Sequence, residues 1–242
     1  MIGSTLLLLT LGCGGSDDPS PTGGSSATTP TAATGTTPTV TGSTGTTATT
    51  GTTATTGDSA PVVEPSTVTA ALIDGFVLPT TDELIDAADA FATASHAFCA
   101  KPTPAGFTAV RDAWWAARAP WKRLEIMNFG PMTEEPWRIG PKLDFWPGRP
   151  NSVAGYLASE AGVSVHDFDL MGGATRGFPA LEIVLWDAKD PYTALATDPR
   201  RCAFVVGGSG DVAVLARRYR DAWTTDWRDR LVDPISGKDD DY

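Results

Sequence analysis

The sequence predicts an all-α protein, an up-and-down helical bundle preceded by a disordered stalk. Between residues 67 and 242, apolar side chains recur at spacings of three and four, and capping residues mark the expected helix starts. No run of alternating apolar and polar residues there is long enough to indicate strands. Residues 1–66, by contrast, contain no lysine, arginine or aromatic side chain. Three segments are therefore predicted, at 1–13, 14–66 and 67–242.

Residues 1–13 are interpreted as a lipoprotein-type signal segment. An apolar run at 6–11 ends just before Gly12 and Cys13, which resembles the site where bacterial lipoproteins are cleaved and acylated. That pattern has leucine three residues before the cysteine and a small residue two before it, whereas this chain has Thr10 and Leu11. The alternative interpretation is an apolar terminus with a free cysteine.

Residues 14–66 are predicted to be a disordered low-complexity linker. Thr, Gly, Ser, Ala and Pro dominate, and one six-residue unit occurs twice in tandem, at 45–50 and 51–56. Such a segment buries too little apolar surface to offset the entropy lost on ordering. It is expected to act as a stalk that holds the body away from a membrane. A neutral linker without a fixed role is the alternative.

Charge and hydropathy exclude two classes of protein. The formal net charge is −11, and such an acidic field repels phosphates, so no nucleic-acid partner is expected. The longest apolar run, at 6–11, is too short to cross a bilayer as a helix, so a multi-span membrane protein is excluded.

The first helix of the body is predicted to begin at Thr80, with Glu83 completing a capping box. It extends to about Cys99. Its apolar face consists of small and large side chains at helical spacing: Leu84, Ala87, Ala88, Phe91, Ala94 and Phe98.

A second helix is predicted after Thr103, with Pro104 in its first turn, and its end is expected near residues 129–131, where Gly and Pro occur. Its apolar stripe is rich in aromatic residues: Phe107, Val110, Trp114, Ala117, Trp121 and Leu124.

The rest of the body is predicted as a long ordered loop at 130–150, a short helix at 152–159 and one long helix that starts at Asp198 and Pro199. The long helix repeats apolar side chains at spacings of three and four: Val212, Leu215, Tyr219, Trp223 and Trp227. An interruption is expected at residues 207–208, because both are glycine.

The cysteines support an exported protein. If Cys13 carries lipid, Cys99 and Cys202 remain as an even pair in an oxidising compartment, which favours a disulfide between two helix ends. Two buried, unpaired thiols are the alternative.

Few residues offer catalytic or metal-binding chemistry. The HExxH, paired CxxC and EF-hand motifs are absent. His166 stands among carboxylates, which is ligand chemistry for a transition metal. Glu182 lies within an apolar helical run, where an unpaired buried charge is costly. We expect that Glu182 either points outward, pairs with Arg176 or another base, or belongs to a site.

Four segments, in this order, resemble the imelysin-like family, also called peptidase family M75. They are the tryptophan-rich helix that ends at 129–131, the segment 143–147, the run 177–186 and the helix at 200–223. The resemblance implies two helical bundles, an envelope location and a link to iron uptake or metal handling. The chain ends before the later helices of the second bundle, as a shortened member or a fragment would. The apolar faces around Trp223 and Trp227 are therefore expected to be exposed.

The family motif GxHxxE is altered in this chain. Gly177 and Glu182 match it, but Pro179 replaces the histidine and offers no lone pair to a metal. The resemblance makes Asp144, in the second segment, a further candidate, and His166 could compensate from the preceding loop. The only cofactor that these residues suggest is a divalent or ferric metal ion.

The function expected from the sequence is a surface-anchored, non-enzymatic imelysin-like lipoprotein of the bacterial cell envelope, on the periplasmic or the outer side. Its partners would be the membrane, through the lipid anchor, and an envelope protein. The first alternative is a metallopeptidase, although such a site needs about three protein ligands and a general base. The second is a degenerate structural domain without a ligand site.

Overall fold

The computed structural model describes residues 63–233, and in this part of the chain every regular element is helical. The all-α prediction is confirmed. No helix of residues 63–233 combines the length and the apolar character that a membrane crossing requires. The predictions for Cys13 and for the stalk up to residue 62 lie outside the described residues.

The helices are α1 (Pro65–Leu72), α2 (Leu78–Ala100), α3 (Pro104–Leu124), α4 (Gly140–Leu143), α5 (Pro150–Leu157), α6 (Val165–Asp169), α7 (Gly177–Trp186), α8 (Pro191–Thr197), α9 (Pro199–Ala222) and α10 (Arg228–Val232). Two π-helical turns, Ile73–Val77 and Trp223–Trp227, join α1 to α2 and α9 to α10. The long helix α2 packs against both α3 and α9, and α7 contacts α9 and α3. The core lies between these four helices.

Two predicted helix starts are confirmed by their caps. The Thr103 side chain accepts a hydrogen bond from the Gly106 backbone N–H at 3.0 Å, at the start of α3. Asp198 Oδ1 accepts from the backbone N–H groups of Arg200 and Arg201, at 2.8 and 3.2 Å, at the start of α9. Each cap satisfies donors that the first turn leaves unpaired, and proline follows directly where no donor is needed.

The start predicted at Thr80 is wrong, because the helix already runs from α1 through the π-helical turn into α2. Thr80 and Thr81 are buried within α2, and Thr81 Oγ1 donates to the Val77 carbonyl at 2.7 Å. Pro79 follows the π-helical turn. A wider turn removes the hydrogen bond that a proline cannot make, so the helix passes through instead of ending.

The interruption expected at residues 207–208 is also wrong, since α9 is continuous there. A Cβ on Gly207 would overlap the Val163 carbonyl, and one on Gly208 would lie 2.8 Å from Leu181 Cδ2. The glycines therefore serve close packing of neighbouring segments against α9.

The second helix ends at Leu124, before the predicted residues 129–131. Those residues instead pack against the aromatic side chains at the C-terminal end of α9. Gly130 has φ +58°, and a Cβ there would lie 3.0 Å from the Trp227 ring. Trp223 is fully buried and Trp227 nearly so, so the expected exposure of their apolar faces is wrong.

Two smaller predictions shift in the region between α3 and α7. The expected loop at 130–150 contains the one-turn helix α4, and the short helix α5 begins at Pro150 instead of residue 152. A proline in the first turn starts each of these helices, because its fixed φ suits a position where no donor is required.

Cys99 and Cys202 form a disulfide, with their Cα atoms 5.7 Å apart. The bond joins the end of α2 to the start of α9, which are neighbours in the bundle. It closes a long segment of chain, which in the chain-entropy account restricts the unfolded state.

Candidate functional site

Helix α7 carries the residues of the altered motif, and its first residue is held by a close backbone approach. Gly177 has φ +72°, and a Cβ at this position would overlap the carbonyl oxygen of Leu143 at the end of α4. Only glycine combines this left-handed conformation with so close a contact. The contact places Asp144, the residue after α4, beside the face of α7.

The residue before α7 is fixed from the other side by a buried ion pair. Arg176 Nε and Nη2 donate to the two carboxylate oxygens of Asp211 on α9, at 3.1 and 2.6 Å. Desolvation raises the pKa of Asp211, although the hydrogen bonds from Arg176 act in the opposite direction. This pair ties the start of α7 to α9.

Pro179 occupies the third position of α7, and its side chain is buried. Backbone N–H groups in the first turn have no partner within the helix, so a proline is tolerated there. The adjacent Phe178 carbonyl accepts from Trp114 Nε1 at 3.2 Å, which holds this turn against α3. Pro179 is thus compatible with this helix start, but it supplies no imidazole.

Glu182 is partnered by α3. Arg118 Nη1 donates to Glu182 Oε2 at 3.0 Å, while 42% of the Glu182 side chain stays exposed. Of the options left open by the sequence, Glu182 therefore pairs with a base other than Arg176, and it also faces solvent.

Asp144 is partnered by the same face of α3. Its side chain is only 3% exposed, and Oδ2 lies 2.7 Å from Lys122 Nζ and 3.5 Å from Arg118 Nη2. Burial alone would lower the pKa of Lys122, but the neighbouring carboxylates of Asp144 and Glu125 together outweigh it and raise that pKa. Arg118 consequently stands between the carboxylates of Asp144 and Glu182.

An exposed indole marks the opening of this region. Trp146, which is 72% exposed, lines two cavities of about 380 Å³ each, and Glu182 lines both as well. We call these two cavities together the motif groove. Trp146 also lines a cavity of about 560 Å³ beside α4, which Asp144 and Trp121 line too. We call this third cavity the α4 pocket.

The candidate residues are only partly brought together. Gly177, Glu182 and Asp144 meet at the α3 face, whereas His166 is exposed on α6, which packs on α9, and lines neither the motif groove nor the α4 pocket. Within residues 63–233, no three His, Cys, Asp or Glu side chains are grouped so that they could hold a metal ion.

The residues at this site do not fit the metal ion that the motif implies. The two carboxylates already form ion pairs with Arg118 and Lys122, and Pro179 replaces the third donor. A metal would have to displace both cations, and the remaining two carboxylates fall short of the three protein ligands of a catalytic zinc site.

Three residues of the site were missed by sequence reasoning. Arg118 and Lys122 are spaced four apart on α3, which places two cations on one helix face, so their spacing was a usable signal. Trp146 lies within the segment 143–147, which in the sequence is informative only through the family resemblance. No local pattern distinguishes a tryptophan that opens a groove from one that fills a core.

Comparison with known proteins places these observations in a family. The sequence model described as Imelysin, Peptidase_M75, matches residues 77–239. No curated protein matches the chain.

Two solved structures share the fold. An imelysin-like protein from Psychrobacter arcticum 273-4 has a TM-score of 0.59 and 18% identity, covering 70% of this chain and 54% of its own. A proposed iron-regulated protein A precursor from Parabacteroides distasonis ATCC 8503 has a TM-score of 0.57 and 22% identity, covering 72% of this chain and 52% of its own. This chain therefore matches about half the length of each.

Proposed function

This chain belongs to the imelysin family, and from that membership we propose that it is a non-enzymatic, envelope-anchored protein that binds a ligand other than a metal ion around Trp146. The chain shares its fold with the family, whereas the residues at the motif differ from the family pattern. The fold positions α7 against α3, and the site then depends on which side chains face each other there.

The position of Arg118 is the observation that carries the proposal. Its guanidinium contacts Glu182 at 3.0 Å and Asp144 at 3.5 Å, and Lys122 adds a second cation at Asp144. Cations attract carboxylates strongly where water is partly excluded. The altered motif therefore carries an ionic network, in which Arg118 and Lys122 contact the motif carboxylates, in place of an open metal site.

The metallopeptidase alternative lacks support in this arrangement. A peptidase metal requires about three protein ligands, an open position for water and a general base. Pro179 supplies no donor, and Glu182, the candidate base, is bonded to Arg118. A purely structural domain is less well supported than a binding protein, because Trp146 is exposed where the two cavities of the motif groove and the α4 pocket meet.

The location in the cell envelope rests on Cys13 and on the disulfide. A disulfide between Cys99 and Cys202 is typical of exported proteins, since the cytosol keeps thiols reduced. Lipid at Cys13 would then attach the chain to a membrane, with the low-complexity segment before α1 as a stalk. Incorporation of a labelled fatty acid tests the anchor, and equal labelling of Cys13→Ser would contradict it.

Metal titration of the full chain tests the absence of a metal site. We expect neither Zn²⁺ nor Fe²⁺ to bind stoichiometrically by calorimetry, and Glu182→Ala to behave like the wild type. Asp86→Ala is the matched control, because it removes an exposed carboxylate on α2 that lines neither the motif groove nor the α4 pocket. One equivalent of metal that is lost in Glu182→Ala and kept in Asp86→Ala would refute the proposal. So would chelator-sensitive peptide cleavage that depends on Glu182.

A further inference from the structure

We propose that the α4 pocket binds a neutral polyol of the sugar class, with Asp144 as hydrogen-bond acceptor, Trp121 as donor and Trp146 as the stacking surface. This inference rests on the ligand-binding part of the proposed function and names the class of ligand. The pocket has a volume of about 560 Å³, within the usual range of small-molecule sites.

Two side chains of the pocket wall carry buried polar atoms that make no hydrogen bond, namely the Trp121 indole nitrogen and both carboxylate oxygens of Asp144. Trp121 is only 1% exposed, and its indole Nε1 donates to no acceptor. Asp144 Oδ1 is buried and accepts from no donor, although Oδ2 contacts Lys122. An unpaired buried polar group costs about 1–3 kcal/mol, so two such side chains in one wall call for a partner that the protein itself does not supply.

Unpaired indole nitrogens also occur elsewhere in the core, but they do not line these cavities. Trp223 and Trp227 also have unpaired Nε1 atoms, but neither lines the motif groove or the α4 pocket. In the α4 pocket, by contrast, the residue with the unpaired donor and the residue with the unpaired acceptor both line one cavity.

A hydroxyl group matches this pair of atoms. Each hydroxyl donates one hydrogen bond and accepts others, so neighbouring hydroxyls of a polyol can pair with Trp121 and Asp144 together. Asp144 already contacts two cations, Lys122 and Arg118, so a neutral ligand can pair with it without leaving its charge unpartnered. An Asn128 side chain, a further donor and acceptor, also lines the pocket.

The aromatic walls match the remaining surface of a sugar ring. Trp146 is 72% exposed and lines the pocket beside Phe145. A sugar ring has an apolar face of C–H groups and a rim of hydroxyls, so it can cover an indole while its hydroxyls reach polar atoms. A flat hydrocarbon would leave Trp121 and Asp144 unpaired, and would therefore lose affinity.

Calorimetry of the full chain with glucose, galactose, N-acetylglucosamine and their β-linked disaccharides tests the proposal. We expect at least one of these sugars to bind, and Trp121→Phe to weaken it roughly three- to tenfold, since the variant removes one hydrogen bond and keeps the buried ring. Trp146→Ala, at an exposed position, should weaken it more. Trp115→Ala is the matched control, because Trp115 is also exposed but lies outside the α4 pocket.

Three results would overturn the proposal. They are the absence of binding for every sugar tested, equal affinity in Trp121→Phe and Trp115→Ala, and preferential binding of a lysine or alkylammonium probe that depends on Trp146. None of them changes the metal titration, so a protein that binds neither sugar nor metal would contradict only the ligand class. Stoichiometric metal binding through Glu182 would contradict the proposed function whatever the sugars do.

Discussion

Helix α7 is held by ion pairs at two places that differ in their surroundings. At its start, Arg176 and Asp211 are joined by two hydrogen bonds, and their side chains are 1% and 2% exposed. In its middle, Glu182 reaches Arg118 through one hydrogen bond and remains partly in solvent. Both pairs join an arginine to a carboxylate, so they differ in burial and in the number of hydrogen bonds.

This difference assigns the two pairs separate roles. A buried pair fixes its surroundings, because either charge left alone would be desolvated without compensation. A partly exposed pair contributes little to stability, since water solvates both charges when they part. The start of α7 is thus held by the fold, while the Glu182 side chain can part from Arg118 at little cost.

The largest expected effect is at the buried pair. Asp211→Ala should lower the free energy of unfolding by about 3–5 kcal/mol, because it leaves the buried Arg176 guanidinium with only the more distant carboxylate of Asp169, 3.8 Å away. Urea unfolding of the purified chain measures this loss. The control is the double variant Arg176→Met with Asp211→Leu, which removes both charges and should recover most of the stability. A loss below about 1 kcal/mol in the single variant would mean that this pair contributes no more to stability than an exposed ion pair.

A smaller loss is expected at the contact that joins the two regions. Gly177→Ala should lower the free energy of unfolding by about 2 kcal/mol or more, because a Cβ strains the left-handed backbone and overlaps the Leu143 carbonyl. Urea unfolding again provides the measurement. Gly155→Ala is the control, since it lies in α5 with open space around it, and it should be neutral or slightly stabilising. Equal stability of the two variants would disprove the role given to Gly177.

The smallest effect is expected at the motif carboxylate. Glu182→Gln should change the free energy of unfolding by less than about 1 kcal/mol, because the pair with Arg118 is partly solvated. The same denaturation experiment measures it, and circular dichroism should show an unchanged helical content. A loss as large as that of Asp211→Ala would remove the distinction between the two ion pairs.

Sequence patterns predicted the local parts of the fold and failed where distant segments meet. The starts at Thr103 and Asp198 were predicted correctly, because a cap depends on residues only two or three positions apart. Thr80 matched the same local pattern, yet it lies inside a helix that continues through a π-helical turn. A capping box indicates a possible helix start, but it does not show whether the residues before it are also helical.

The candidate site divides in the same way. The loss of the histidine at Pro179 and the retained Glu182 are visible in the sequence, and together they weaken the case for a metal. The partner of Glu182 is not visible, because Arg118 lies 64 residues earlier in the chain. The unpaired atoms of Trp121 and Asp144 appear only when α3 and the segment after α4 are brought to one cavity.

The sequence by itself determined the helical class, the apolar stripes and the chemical identity of the altered motif, since periodicity and residue type are local properties. Only the tertiary structure decided which cation neutralises each carboxylate, why residues 207–208 continue a helix and how Trp223 and Trp227 become buried. These outcomes depend on packing between segments far apart in the chain, and packing depends on volume, contact and desolvation that no single segment contains.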